Sequence, residues 1–368
     1  MTTSDITDPD WTTNRRDTAW TCPDQTGEAL EFHRSLDGYA PTALIELPEL
    51  AVELGVGRVF AKDESTRLGL PAFKALGASW AVHRALGRAG SEEGATSAEV
   101  ITATDGNHGR AVARFARLAG RAARIFVPAA GIHPDAVAAI RGEGAEVVEH
   151  AGNYDETVVA AARFATDSGG VLVQDTAWDG YEEVPGWIVE GYSTLFQEID
   201  AQLADGGRRG PDLVLVPTGV GSLLQAGLAH YRSESGPRGT AVVSVEPESA
   251  ACMGPSLTAG HPVTVETGQT IMSGLNCGTP SSLAWPFIRE GLDASAAVGE
   301  QETIAAAHRL AELGVAAGPC GAASLAGALL ALTGDGAQSR RADLGVGPES
   351  IIVLTVTEGS DANPVPAG

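Results

Sequence analysis

Short, nearly uninterrupted apolar runs alternate with longer stretches of helical period along most of this chain. Between residues 98 and 176 the runs fall at 100–102, 123–127, 145–148 and 171–173, and the intervening stretches 109–118, 134–141 and 154–166 read as helices. Pro134 sits early in one predicted helix, and Asn153 stands where another needs a cap. A second series follows, with apolar runs at 212–216, 241–245 and 351–356 and helical stretches at 184–202, 222–231 and 302–314. Runs this continuously apolar fit strands buried on both faces, so the alternation predicts parallel sheets covered by helices, an α/β architecture. No repeat of solenoid period is present, and the polar, glycine-rich segment 334–347 reads as a surface loop.

At 368 residues the chain is long enough for one large or two ordinary domains. Hydrophobic content of 43% with 19% charged residues fits a globular protein and not a disordered one. The formal net charge of −23 argues against nucleic acid or an anionic membrane surface as partner, because phosphates would be repelled. A small anionic ligand stays compatible, since local N–H groups outweigh a diffuse field. The first 21 residues are polar and lack the apolar stretch of a secretory signal. No run approaches the roughly 18 apolar residues of a membrane span, so the expected location is the cytoplasm. Cys22, Cys252, Cys277 and Cys320 show neither close pairing nor metal-ligand spacing, which reads as reduced thiols. Cys252 and Cys277 flank an apparent loop and could meet, which leaves a regulatory disulfide open. The histidines form no ligand cluster, and no catalytic metal is expected.

Three segments carry candidate chemistry. Leu68-Gly-Leu-Pro-Ala-Phe-Lys74 ends in a lysine behind an aromatic ring, and only two lysines, Lys62 and Lys74, occur in the chain. Phe73, Leu76 and Gly77 make an apolar surround for Lys74, of the kind in which an amine gives up its proton more readily. Lys62 is left with a structural part. Thr104-Asp-Gly-Asn-His-Gly109 lies where an apolar run turns into a helix, so its backbone donors suit a carboxylate; the plain alternative is an Asx cap at Asn107. Pro217-Thr-Gly-Val-Gly-Ser222 joins a strand to a helix with small residues, which lets the backbone approach a phosphate at the helix start. Position 224 is Leu224, so the third glycine of a dinucleotide fingerprint is missing, and no P-loop is present. A single phosphate fits better than a dinucleotide. A reactive lysine with a carboxylate loop and a phosphate loop is what pyridoxal phosphate chemistry requires.

These blocks resemble those of fold-type II pyridoxal phosphate enzymes, and most of all the diaminopropionate ammonia-lyases. Lys62-Asp-Glu-Ser65, Gln174-Asp-Thr-Ala-Trp-Asp-Gly-Tyr181, Thr270-Ile-Met-Ser-Gly-Leu-Asn-Cys277 and the pair Thr357-Glu358 extend the likeness from about residue 60 to 360. The resemblance implies two parallel-sheet α/β/α domains with the cofactor in the cleft between them. Residues 1–85 and 186–368 would form the larger, cofactor-binding domain and 86–185 the smaller, inserted one. It implies Lys74 as the Schiff-base lysine with Phe73 beside the cofactor, and Asn107 on the ring hydroxyl. Gly219, Val220, Gly221 and Ser222 would take the phosphate, and Thr357 the pyridine nitrogen. Backbone around Thr104, Gly106 and His108 would receive the substrate carboxylate. Asp105 would be the base for the D-enantiomer, opposite Lys74 for the L-enantiomer, with Asp175 supporting the pair or a distal ammonium. Otherwise Asp105 caps a helix and Asp175 ends a strand. The activity implied is α,β-elimination of the small amino acid 2,3-diaminopropionate to pyruvate and ammonia, by a homodimer. One departure weakens the substrate assignment: where the family carries a glutamate in Gly-Glu-Ser-Gly-Ala, this chain reads Gly318-Pro-Cys-Gly-Ala322. Ser360-Asp-Ala-Asn-Pro364 also differs from the family's acidic tail. The rival readings are a threonine or serine dehydratase, a β-replacement or β-elimination enzyme on another β-substituted amino acid, and a non-catalytic pyridoxal carrier.

Overall fold

Residues 10–90, 98–104, 106–130, 132–237 and 239–366 are described by the structure, a computed structural model. They fall into two units, Met1–Gln25, Thr42–Ser65 and Phe196–Gly368 in the first, Thr26–Pro41 and Thr66–Leu195 in the second. Strands in chain order are β1 (Trp11–Thr13), β2 (Leu44–Glu46), β3 (Arg58–Asp63), β4 (Val100–Ala103), β5 (Ala123–Pro128), β6 (Glu146–His150) and β7 (Val171–Leu172), followed by β8 (Leu213–Pro217), β9 (Ala241–Pro247), β10 (Ala294–Val298) and β11 (Ile351–Val356).

The first unit is built on a seven-stranded sheet of order β1-β10-β9-β8-β11-β3-β2. Only the outermost strands run antiparallel, β1 against β10 and β2 against β3. Every residue of β8, β9 and β11 is buried, as expected of inner parallel strands covered on both faces. The edge strands are three residues each, which limits unpaired backbone at the margins. The helix Pro319–Leu332 is buried almost all round and forms the middle of this core. It lies so close to β9 that a Cβ on Gly327 would stand 2.5 Å from Val245 Cγ2. Lys62, in β3, is wholly buried: its Nζ donates to Glu198 Oε2 at 2.6 Å, to the Thr42 carbonyl at 2.8 Å and to Gln202 Oε1 at 2.9 Å. A buried ammonium with three partners is a structural ion.

The second unit carries a four-stranded, wholly parallel sheet of order β6-β5-β4-β7. Its helices begin where the sequence places caps. Pro134 opens Pro134–Gly142, and Asn153 forms a reciprocal capping box with Glu156 at the start of Tyr154–Ser168.

The segment 334–347 is corrected from loop to helix. Ala337–Leu344 is helical, and the glycines that suggested a loop are its ends, Gly336 at φ 79 and Gly345 at φ 66. Its low apolar content is offset by buried Leu344 and by arginines that donate to backbone carbonyls. Arg340 reaches Asp335 at 2.7 Å, and Arg341 Nε reaches Leu332 at 3.1 Å. Two interior strands had no signal: β10 is Ala-Ser-Ala-Ala-Val, and β3 contains Arg58 and Lys62.

Candidate active site

Lys74 is the first residue of the helix Lys74–Gly90, reached through a turn in which Leu68 adopts a left-handed conformation at φ 52. This helix packs on Glu183–Asp205 through two glycines. A Cβ on Gly191 would stand 2.5 Å from the Leu76 carbonyl, and one on Gly77 would stand 2.5 Å from Tyr192 Cε1. The close approach brings the rings of Phe73 and Tyr192 to 4.7 Å and runs the Lys74 side chain past both, with Nζ 5.4 Å and 5.9 Å from their centroids. Lys74 Nζ then donates to Asp175 Oδ2 at 2.8 Å. An apolar surround is therefore only half of the Lys74 environment, the other half being a carboxylate. Burial pushes the Tyr192 hydroxyl up to about 12, so it stays neutral.

Asp175 follows β7 and is held by the residues before it. Val173 N–H donates to the Ile101 carbonyl at 2.8 Å, and Gln174 Nε2 donates to Asp175 Oδ1 at 3.2 Å. Burial alone would raise the Asp175 carboxyl. The His108 ring and the Lys74 ammonium with its hydrogen bond outweigh burial and hold the carboxyl well below the usual carboxylate range. His108 is itself driven toward its neutral form by burial. His108 Nε2 lies 2.9 Å from the Val173 carbonyl and so carries the ring proton, while Nδ1 stands 3.8 Å from Asp175 Oδ2.

The segment 104–109 forms the start of the helix Asn107–Leu118. Thr104 Oγ1 accepts from the N–H groups of Gly106 and Gly109, both at 3.0 Å, so Thr104 supplies the cap, and Asn107 stands inside the first turn. A Cβ on Gly109 would collide with Thr104 Cγ2, which makes glycine obligatory there. Asp105 lies outside the described residues.

In the first unit, β8 runs into Thr218-Gly-Val-Gly-Ser222 and the helix Ser222–Tyr231. Gly221 sits at φ 103, where side chains are rarely tolerated, and a Cβ would meet Ile288 Cδ1 at 3.0 Å. A Cβ on Gly219 would meet Cys277 Sγ and the Gly274 carbonyl, each at 3.1 Å. The Val220 carbonyl accepts from Ser281 N–H at 2.8 Å and ties the loop down. This is a bare backbone cradle at the start of a ten-residue helix, the shape and polarity a phosphate monoester requires. Thr357, buried, follows β11. Next to it, Glu358 Oε1 accepts from Cys320 N–H at 3.2 Å, so the Gly318-Pro-Cys departure is a helix start with Pro319 in its first turn and a carboxylate cap brought from β11. No disulfide joins any of the four cysteines. No group of three or more metal-ligating side chains occurs among the described residues. None of the helices there is by itself long and apolar enough to cross a membrane.

The structure thus joins Phe73, Lys74, His108 and Asp175 in the second unit and sets the four-residue cradle and Thr357 in the first. Sequence reasoning missed Tyr192 and the amide of Gln174. Gln174 was visible as the neighbour of Asp175 within one block, whereas nothing in the sequence ties Tyr192 to Lys74.

Comparison with known proteins accords with this geometry. The family model described as pyridoxal-phosphate dependent enzyme matches residues 36–346. The diaminopropionate ammonia-lyase of Salmonella typhimurium is 39% identical over 283 residues, which is 72% of this chain and 70% of that protein. The enzyme of the same name from Escherichia coli is 37% identical over 71% of this chain and 68% of its own length. The solved structure of Escherichia coli diaminopropionate ammonia-lyase in complex with an aminoacrylate–pyridoxal phosphate azomethine intermediate superposes with a TM-score of 0.85 at 32% identity, covering 95% of this chain and 93% of that one.

Proposed function

The chain belongs to the pyridoxal-phosphate dependent enzymes and within them to the diaminopropionate ammonia-lyases, and from that premise we propose that it carries out α,β-elimination of 2,3-diaminopropionate to pyruvate and ammonia. The observation that carries this reading is the pairing of Lys74 with half-buried Asp175 at 2.8 Å, an alkylammonium at the start of a helix held by a carboxylate. Bound pyridoxal phosphate supplies the electron sink for the carbanion at the substrate Cα. Gly219, Val220, Gly221 and Ser222 would hold its phosphate, Thr357 its pyridine nitrogen, Asn107 its ring hydroxyl, and Lys74 its aldehyde carbon, with Phe73 alongside. Thr357 offers a neutral hydroxyl in place of a carboxylate, which suits prompt departure of a leaving group better than transamination.

Backbone donors around Thr104, Gly106 and His108 would hold the substrate carboxylate. The Lys74 amine, once released, takes the Cα proton of the L-enantiomer, and Asp105 takes that of the D-enantiomer from the other face. Asp175 keeps a cation in place throughout, first Lys74 and then the substrate's distal ammonium. The β-amino group leaves as ammonia, and the three-carbon enamine takes up water to give pyruvate and a second ammonia. We further propose a homodimer working in the cytoplasm.

The test is pyruvate release from each enantiomer of 2,3-diaminopropionate, with serine and threonine alongside and pyridoxal phosphate supplied. Fast release from diaminopropionate supports the reading. Turnover of threonine without diaminopropionate would make the chain a dehydratase.

A further inference from the structure

Gln174 is wholly buried, and every polar atom of its side chain is engaged. Its Oε1 accepts from Ala103 N–H at 2.9 Å and from the Thr102 hydroxyl at 3.0 Å, which fixes the orientation of the amide. Its Nε2 donates to the Tyr154 hydroxyl at 3.1 Å and to Asp175 Oδ1 at 3.2 Å. The backbone is pinned as well: Gln174 N–H donates to the Tyr181 hydroxyl, which donates onward to the Leu172 carbonyl, each at 3.0 Å. Tyr181 stacks on Trp178 at 4.3 Å. The amide can neither flip nor swing.

Asp175 depends on that rigidity. A carboxylate turns readily about its last torsion, and of its two oxygens only Oδ2 meets Lys74. Among the described residues the groups facing Asp175 are Lys74, His108, Tyr192 and Tyr181, with Tyr154 reached through the amide. Tyr181 and Tyr192 are kept neutral by burial and the His108 ring stands 3.8 Å from Oδ2, so among the described residues the side-chain hydrogen bond to Oδ1 comes from the Gln174 amide. We propose that Gln174 is the positioning residue of the elimination: it clamps one oxygen of Asp175 to the β4 backbone so that the other stays aimed at the reacting ammonium. The proposal rests on the role given to Asp175 above.

Gln174→Glu tests it cleanly, because an oxygen still accepts from Ala103 and Thr102 while the donor toward Asp175 is lost. The enzyme loaded with pyridoxal phosphate is titrated from about pH 5 to 9 by the visible absorbance of the bound cofactor, and kcat and KM are measured on diaminopropionate. The absorbance titration of Q174E is expected to move by about one pH unit or more, and kcat to fall about tenfold or more with KM changed less than about threefold. Thr102→Val loses only the bond on the fold side and is expected to lower thermal stability with the titration in place. Tyr154→Phe is expected to move the titration less, in the same direction as Q174E. A wild-type titration and kcat in Q174E, or a shift in T102V as large as in Q174E, would make Gln174 merely structural and overturn the proposal. Should Q174E fail to fold, an unmoved titration in Y154F overturns it. The absorbance reading needs no turnover. A wild-type enzyme inactive on diaminopropionate would therefore sink the substrate assignment and leave this test standing.

Discussion

Tyr192 rests its ring on the bare Cα of Gly77, so close that a single methyl at Gly77 would stand 2.5 Å from the ring. Gly77 lies three residues past Lys74, and the same ring lines the path of the Lys74 side chain. Packing of two helices and placement of the reactive amine are thus one constraint. Gly77→Ala is expected to cost about 1–3 kcal/mol by overpacking and to weaken cofactor loading through the displaced Tyr192. Gly87, in the same helix, provides the contrast, because an added Cβ there would meet nothing within 4 Å among the described residues: Gly87→Ala is expected to stabilise by about 0.5–1 kcal/mol with loading unchanged. Denaturant unfolding and cofactor absorbance on both variants check the pair.

Asp175→Asn removes the charge partner of Lys74, and kcat is expected to fall about a hundredfold or more. Because the folded carboxyl is held below its usual range, its contribution is fully present above the unfolded value, about 3.9, and is lost as pH falls toward the folded value. The wild type is therefore expected to exceed D175N by about 1.5–3 kcal/mol at neutral pH, with the gap closing below about pH 4. A gap that stayed constant down to strong acid would show that Asp175 is not the ion the pairing requires.

Glu246 makes the opposite case. Wholly enclosed at the end of β9, it accepts from the N–H groups of Cys252 and Met253 at 2.9 and 3.1 Å and from Ser295 Oγ at 3.1 Å. Burial pushes its carboxyl up to about 7 against these hydrogen bonds. A carboxyl raised on folding binds its proton more tightly in the native state, so stability falls as pH rises from about 4.3 to about 7 and then levels. The loss amounts to about 3–4 kcal/mol across that window. Glu246→Gln keeps an acceptor for the two N–H groups and is expected to flatten this dependence and to exceed the wild type in stability at pH 8. Urea unfolding of both proteins at pH 5 and pH 8 measures it.

The cradle in the first unit rests on conformation more than on side chains. Gly221 at φ 103 is closed to alanine both by its backbone and by Ile288. Forcing a Cβ there costs about 1–2 kcal/mol of left-handed strain, so Gly221→Ala is expected to weaken pyridoxal phosphate affinity about tenfold or more. Fluorescence titration of cofactor into the stripped protein reads this directly. An unchanged affinity would move the phosphate elsewhere.

Legibility in the sequence followed the physics of each element. The inner strands β8, β9 and β11 were plain because strands covered on both faces are predominantly apolar. Strand β3 was hidden because Lys62 looks like a surface residue until Glu198, 136 positions later, arrives beside it. Helix Ala337–Leu344 was hidden because its support comes from arginines bonding carbonyls outside it, not from an apolar stripe. At the site, Lys74 and Asp175 could each be picked out by residue type and motif. Their pairing spans 101 positions, and the Tyr192 ring beside Lys74 depends on Gly77 and Gly191 letting two helices touch, which no local pattern carries.

The two lysines allow a decisive chemical test. Lys62 is locked in a buried ion pair with Glu198 at 2.6 Å and is closed to solvent, whereas the Lys74 side chain is 24% exposed. Borohydride reduction of the cofactor-loaded enzyme is therefore expected to fix pyridoxyl on Lys74 alone, read as a single modified peptide by mass spectrometry. Lys74→Ala is expected to abolish both the label and pyruvate release. Lys62→Met leaves Glu198 buried without its cation and is expected to cost about 3–5 kcal/mol of stability, yet to retain the label on Lys74 in whatever fraction folds. Label found on Lys62 would reverse the two assignments, because only the lysine that reaches the aldehyde can be reduced onto it.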